Sequence, residues 1–396
     1  MQTVTFIHCA DLHLDSPFKG LSHLPENVLR QVRQSTFQAL DRLVEEAIHH
    51  QVDFVLMVGD IFDQEEQSMR AHMAFRHALQ RLKEHEISVY LSFANHDYLK
   101  SHTFPHHYPS NVHWFDREEV QTFPFKKEGQ LLAQIYGFSY ENRAVSIDKT
   151  SEYRKTADDC FHIGMLHGSK GDSDHVPYAP FSLQSLKQKG FDYWALGHIH
   201  KREVLSTKPA IVYPGNMQGR SSKETGEKGC YLVTLTEQET TYHFLPLAPI
   251  LFEKKQLSLT EWDKLDLLAD NLFELATQAS DRTVFIQLAF DQVQGEQRNW
   301  FLDRHMDDMI DYVNEQAQKS FLIGYKWREA ASFNWQDGGA FMEELSKAFA
   351  AEDITEAIQP ITSHTEGKKW VHTGKGLDPA EITREAEALL ARLLRE

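Results

Sequence analysis

The pattern of apolar positions divides the chain near residue 250. Before that point, short β-branched and aromatic runs alternate with stretches of helical spacing. VTFIHCA (4–10) predicts a strand. Residues 27–51 place Val28, Val32, Phe37, Leu40, Leu43 and Ala47 at the intervals of a helix with one packed face. VDFVLMVGD (52–60) is apolar without interruption, as expected of a strand covered on both faces. A helix over about 65–86 and the run ISVYLSFAN (87–95) follow. CFHIGMLHG (160–168), a helix within 181–190, DYWALGHIH (192–200), AIVYPGN (210–216) and the paired runs CYLVTL and TTYHFLPL complete the region. Strands alternating with helices, then mostly strands, predict an α/β fold: a layered sandwich of sheets flanked by helices.

After Pro249 the pattern changes. LFEKKQLSL, RTVFIQLAF (282–290) and FLIGYKW (321–327) read as strands, and 261–279, 298–318 and 339–351 as helices. This predicts a smaller C-terminal α+β domain over 251–350, behind a first domain at 1–250. Residues 351–396 hold a polar, turn-rich linker (359–377) and a final amphipathic helix with Ile382, Ala386, Leu389, Leu390 and Leu393 on one face. That stripe suits either a partner or the chain's own domain.

Composition narrows the class. No apolar run among the 396 residues approaches the roughly 20 needed to cross a bilayer, so no membrane association is expected. The start, MQTVTFIHCADLHL, has no basic region ahead of its apolar stretch and reads as a strand, which points to the cytoplasm. Cys9, Cys160 and Cys230 are far apart, with no C-x-x-C pair. That excludes a disulfide framework or a thiolate zinc site and fits a reducing compartment. The net charge of −17 excludes a broad basic coat for nucleic acid. Residues 1–250 contribute only −6 of it (25 Lys+Arg against 31 Asp+Glu), and carboxylates that bind cations would lower that further. Histidine is the informative residue, since 19 of the 22 lie before residue 250.

Five of the apolar runs end in polar clusters: Asp11 and His13, Asp60, Asn95 and His96, His167, then His198 and His200. In open α/β sheets ligands sit beyond the carboxyl ends of the strands, so these clusters are placed to converge on one rim. Hydrolysis of a phosphodiester by two adjacent divalent ions needs oxygen and imidazole ligands, a bridging carboxylate and an acid near the leaving oxygen. The residue types are all present. Asp11 with His13, and His198 with His200, are two apart and so point the same way. Gly59 permits a tight turn before Asp60.

The ordered set D-x-H, G-D-x-x-D, N-H-D, H-G and G-H-x-H resembles the signature of the calcineurin-like metallophosphoesterases. DLHLDSPF, and YPGNMQGR with the following ETGEKG, resemble the SbcD and YhaO branch of DNA repair exonucleases. The resemblance covers about residues 1–250 and implies a metallophosphoesterase β-sandwich. It implies that Asp11, His13, Asp60 and His200 hold one divalent ion, and that Asp60, Asn95, His167 and His198 hold a second, with Mn²⁺ as the metal. His96 would act on the leaving 3′ oxygen, with Asp63 hydrogen-bonded to it. DNA as substrate, an SMC-like ATPase as partner and a second copy of the chain are the associations expected. A phosphodiesterase of nucleotides or other small phosphoesters, and a weakly active scaffold for the ATPase, are the alternatives.

Arg220 and Lys223, with Lys228, lie in a glycine-bearing basic loop suited to phosphate contact. His102, His106 and His107 read as an ordinary polar loop, and Tyr193 and Trp194 as core. Asp97 suits either an orienting carboxylate or a turn. One position departs from the family pattern: Ala94 stands where glycine is usual, and a positive φ there would strain the N-H-D loop.

Overall fold

The computed structural model describes residues 2–329 apart from 19, 22–23, 64–66, 102–107, 157–158, 172–177, 263 and 296. His102, His106 and His107, the helix expected over 339–351, the linker and the terminal amphipathic helix lie outside the described residues. Met1–Glu329 is one compact unit. Among the described residues no helix is long and apolar enough to cross a membrane.

In chain order come β1 (Thr3–Cys9), α1 (Glu26–His49), β2 (Phe54–Val58), α2 (Met69–Glu84), β3 (Ser88–Ser92) and β4 (Val112–Trp114), the four strands pairing in parallel. β5 (Gln121–Lys127), β6 (Gln130–Gly137), β7 (Phe161–His167), α3 (Leu183–Gln188), β8 (Tyr193–Gly197), β9 (Glu203–Thr207) and β10 (Ala210–Tyr213) follow. These strands build a second sheet in the order β5-β6-β7-β8-β10-β9. β11 (Gly229–Thr236) and β12 (Thr240–Pro246) return antiparallel to the first sheet, ordered β12-β11-β1-β2-β3-β4. The chain continues as β13 (Ile250–Ser258), α4 (Leu265–Thr277), β14 (Thr283–Val293), α5 (Gln297–Leu302), α6 (His305–Gln316) and β15 (Ser320–Glu329), whose strands form a parallel three-stranded sheet.

The uninterrupted apolar character of β2 follows from its position. Val55 and Met57 join the core under α1 and α2, while Phe54, Leu56 and Val58 face the second sheet with Ile163, Met165, Tyr193 and Val212. All five β2 side chains are fully buried, and each stabilises the fold by roughly 1.5–3 kcal/mol relative to exposure. Helix α1 serves two layers. Phe37, Leu40, Leu43, Val44 and Ala47 pack on the first sheet, whereas Val28 and Val32 meet Phe252, Phe285 and Phe321 of the third. Tyr193 and Trp194 are core residues, as expected.

Several elements differ from the sequence expectation: the short strands β4 and β9 were not anticipated, and two further differences have a local cause. The pattern at 298–318 suggests one helix, but α5 and α6 are separate, broken at Arg304 with φ 63°. Phe301 and Met306 are both buried against the third sheet. Five residues apart on a continuous helix they would point about 140° from each other at 100° per residue. The break lets both reach the core. The hairpin β5–β6 was unforeseen; its two-residue turn is Glu128 (φ 53°) and Gly129 (φ 80°), the double positive φ of a tight right-twisted hairpin.

Candidate metal centre

The loops after β1 and β2 leave their strands side by side. Main-chain bonds continue past the strand ends, from Asp11 N to Gly59 O (3.2 Å), His13 N to Asp60 O (3.0 Å) and Leu14 N to Ile61 O (2.9 Å). This pairing holds Asp11, His13 and Asp60 at φ of 52°, 44° and 51°, and His198 sits at 98°. Non-glycine residues in that region cost of order 1–3 kcal/mol each and persist only where their surroundings fix them. Four of the twelve described non-glycine residues with positive φ are thus residues already singled out for their chemistry.

Asp97 fixes the third loop. Its buried carboxylate accepts from Ala94 N (2.7 Å), Ile61 N (2.6 Å) and Phe62 N (3.2 Å), tying the segment with Asn95 and His96 to the one after Asp60. Burial, then the charge of Asp60, push its carboxyl well above the usual range. Of the two roles open to Asp97, orientation is the one it fulfils. Ala94 is not among the residues with positive φ, so its methyl group introduces no backbone strain.

The second sheet contributes from β7 and β8, and glycine sets how close they come. A Cβ on Gly59 would lie 2.4 Å from His167 Nδ1. One on Gly197 would lie 2.2 Å from Val58 O and 2.8 Å from His167 Nδ1. Only a bare α-carbon lets the end of β8 pass the end of β2. His198 N then donates to Asp11 Oδ2 (3.0 Å), joining the two sheets directly.

At this junction the donors converge. His13 Nε2 and His200 Nε2 are 3.1 Å apart, and His200 Nε2 is 3.6 Å from Asp11 Oδ1. Asp60 Oδ2 lies 3.9 Å from His13 Nε2 and 3.5 Å from His167 Nε2, so one oxygen reaches both halves of the site. His167 Nε2 is 3.1 Å from Asn95 Oδ1. Donor atoms of Asp11, His13 and His200, of His13, Asp60 and His96, and of Asp11, Asp60 and His167 fall within 4.8 Å of one another, close enough to share an ion. His198 is outside these three groups; its ring packs 5.3 Å from His167 and 4.8 Å from Tyr178, centroid to centroid.

The outer nitrogens of two of these imidazoles are engaged. His167 Nδ1 is 2.9 Å from Val58 O and His200 Nδ1 is 2.8 Å from Glu224 Oε1. A carbonyl can only accept, so His167 Nδ1 carries the proton; a carboxylate imposes the same on His200. Both Nε2 lone pairs then point inward, the tautomer a metal ligand requires. Burial, followed by the Arg220 charge, holds His13 well below its ordinary pKa. Burial and the His167 charge lower His198 to about 3. Burial raises Asp11 despite the neighbouring histidines. Burial would lower His200 as well, but its bond to Glu224 and the charge of Asp11 outweigh that and raise it. His13 and His198 held as neutral imidazoles beside Asp11, which burial disfavours as a free anion, are donors suited to a divalent cation.

His96 is oriented by Asp63, but through the main chain: His96 Nδ1 meets Asp63 O at 2.7 Å. The Asp63 carboxylate, expected on His96, is taken by Arg220 Nη1 and lies 3.1 Å from His13 Nδ1. Arg220 is correspondingly drawn inward onto Asp63 and Glu224, while Lys223 is exposed. Lys228 is buried, its ammonium donating to His200 O (2.7 Å); this corrects its expected phosphate contact. Glu224 was missed. Nothing in ETGEKG tells that its first carboxylate meets a histidine 24 residues earlier.

The calcineurin-like phosphoesterase family model matches residues 4–202. The chain is 37% identical to the metallophosphoesterase YhaO of Bacillus subtilis, over 99% of this chain and 98% of that one. It is 23% identical to the DNA double-strand break repair protein Mre11 of Methanocaldococcus jannaschii, over 82% of this chain and 90% of that one. The Mre11 of Sulfurisphaera tokodaii is 28% identical over 52% of this chain and 51% of its own.

Proposed function

The chain belongs to the calcineurin-like phosphoesterase family and is a metal-dependent hydrolase, and we propose that its substrate is DNA, cleaved as the nuclease subunit of a repair system. The observation that carries the chemistry is the meeting of three imidazole Nε2 atoms with Asp11 and Asp60 at the junction of the sheets. DNA as substrate is supported by the likeness to two archaeal proteins named for double-strand break repair.

In this reading Asp11, His13, Asp60 and His200 would hold one divalent ion, and Asp60, Asn95, His167 and His198 the other, with manganese in both places. Such ions, when bound, supply Lewis-acid stabilisation of charge on the phosphate and make water acidic enough to ionise near neutral pH. Asp60 serves both halves through Oδ2, while its Oδ1 accepts from His96 N (3.0 Å) and so sets the position of that histidine. With Nδ1 of His96 held on a carbonyl, Nε2 is the nitrogen left to hand a proton to the leaving 3′ oxygen. Arg220 and Lys223 are the basic residues of the adjoining loop that would meet the phosphate backbone. An SMC-like ATPase partner would provide most of the grip on DNA, which reconciles a net charge of −17 with an acidic polymer. The three cysteines are free, in keeping with a cytoplasmic protein.

The test is incubation of the purified chain with Mn²⁺ and end-labelled DNA, alone and with its ATPase. Asp60→Ala should lose metal and cleavage together, whereas His96→Ala should keep metal and lose turnover. Hydrolysis of small diesters without any cleavage of DNA would transfer the assignment to small phosphoesters. A His96→Ala protein with wild-type turnover would remove the proton-donor role.

A further inference from the structure

Between β10 and β11, Glu224 sits at the centre of a local network. Its Oε1 accepts from His200 Nδ1 (2.8 Å), and its Oε2 from Asn216 Nδ2 (2.8 Å) and from Arg220 N (2.8 Å). Arg220 Nη2 lies 3.7 Å from Oε1, and Nη1 of the same guanidinium pairs with Asp63, which stands 3.1 Å behind His13 Nδ1. The two imidazoles that face each other at 3.1 Å each have a carboxylate behind them, hydrogen-bonded to Nδ1 at His200 and only close by at His13, and one arginine joins the two carboxylates.

We infer that Glu224 is a positioning residue for the first metal, acting through His200, with Arg220 as the brace between it and Asp63. This rests on the metal-centre reading above. A carboxylate on Nδ1 fixes the ring's tautomer and increases the basicity of its inward nitrogen, and such outer partners are typically worth about 10- to 100-fold in metal affinity. The two halves of the site differ in this respect. His167 in the second half is oriented by the main-chain carbonyl of Val58, which no substitution can delete. His200 in the first half depends on a side chain. Changes at Glu224 therefore discriminate between the two ions, an effect that a general loss of fold would not produce.

The experiment is Mn²⁺ titration calorimetry with thermal melts on the full-length wild type, Glu224→Gln and Glu224→Asp. Glu224→Gln keeps the shape but puts an amide where a carboxylate met three donors. It should weaken one of the two sites about 10- to 100-fold and leave the other within twofold. Two unchanged sites, or two equally weakened ones, would overturn the inference. Should Glu224→Gln fail to fold, Glu224→Asp, which keeps the charge and withdraws it by one methylene, is read by the same criterion. Wild-type protein that takes up no divalent ion would instead sink the reading of the site itself.

Discussion

Replacing Asp97 by Asn changes almost no volume, so it isolates the acceptor capacity of one buried carboxylate. In its better orientation the amide oxygen keeps the bonds from Ile61 N and Phe62 N, and the amide nitrogen then confronts Ala94 N across the 2.7 Å now spanned by a hydrogen bond. One bond to a charged acceptor is lost, about 1.5–3 kcal/mol, and a buried donor is orphaned against another donor, about 1–3 kcal/mol more. Relief of repulsion with Asp60 offsets part of this, since that charge raises the Asp97 carboxyl. The net expectation is a loss of about 3 kcal/mol, or roughly 4 °C in Tm for a chain of this size. Because Asn95 and His96 hang on the same loop, affinity for the second ion should drop about tenfold, as for other outer-sphere changes. Thermal melts in EDTA measure the first effect and Mn²⁺ titration the second. If Asp97→Asn melts within 1 °C of wild type and binds both ions normally, the loop is held by something other than this carboxylate.

Gly197→Ala should cost more than 3 kcal/mol, because its methyl group would sit 2.2 Å from Val58 O and push apart strands of different sheets; a melt within 2 °C of wild type would contradict this close approach. His8 is buried between Tyr193 OH (2.9 Å) and Leu196 O (3.0 Å), and burial lowers its pKa to about 3. Below the unfolded value of 6.5 the unfolded chain therefore binds a proton that the folded one refuses, so stability falls with pH by about 1.4 kcal/mol per unit. Urea titrations should lose about 2 kcal/mol between pH 6.5 and 5, and His8→Gln should remove that share; an unaltered slope in the variant would exclude His8 as the source. Lys228→Met should lower stability by about 2 kcal/mol, since it orphans His200 O, yet leave the salt dependence of DNA binding unchanged. A salt slope reduced by about one would restore Lys228 to the phosphate backbone.

How much of this was legible in the sequence depends on how local each cause is. β2 could be read because burial on both faces leaves an apolar run, and the polar residue ending it falls at the sheet's rim by simple strand geometry. The D-x-H and G-H-x-H pairs were legible as motifs that follow strands, but not from strand alternation, because Asp11, His13 and His198 take positive φ beyond the strand ends. The partners behind them were not legible. Glu224 and Asp63 reach His200 and His13 across chain separations that no spacing rule spans. The orientation of His96 by a main-chain carbonyl could not be read at all, because every residue has one. The split of α5 from α6 depends on what Phe301 and Met306 must both touch, which is a property of the third sheet and not of their own segment.

In the proposed assignment the ligands would be shared out between two layers, Asp11, His13, Asp60 and Asn95 on one sheet and His167, His198 and His200 on the other. A slip of one layer across the other by a single ångström would withdraw ligands from both ions at once, with every strand still intact. Heat inactivation should accordingly run ahead of melting and be repaired by cooling with excess Mn²⁺. On that expectation the operating ceiling of the catalyst would be set by the stiffness of its sandwich, below the temperature at which the chain unfolds.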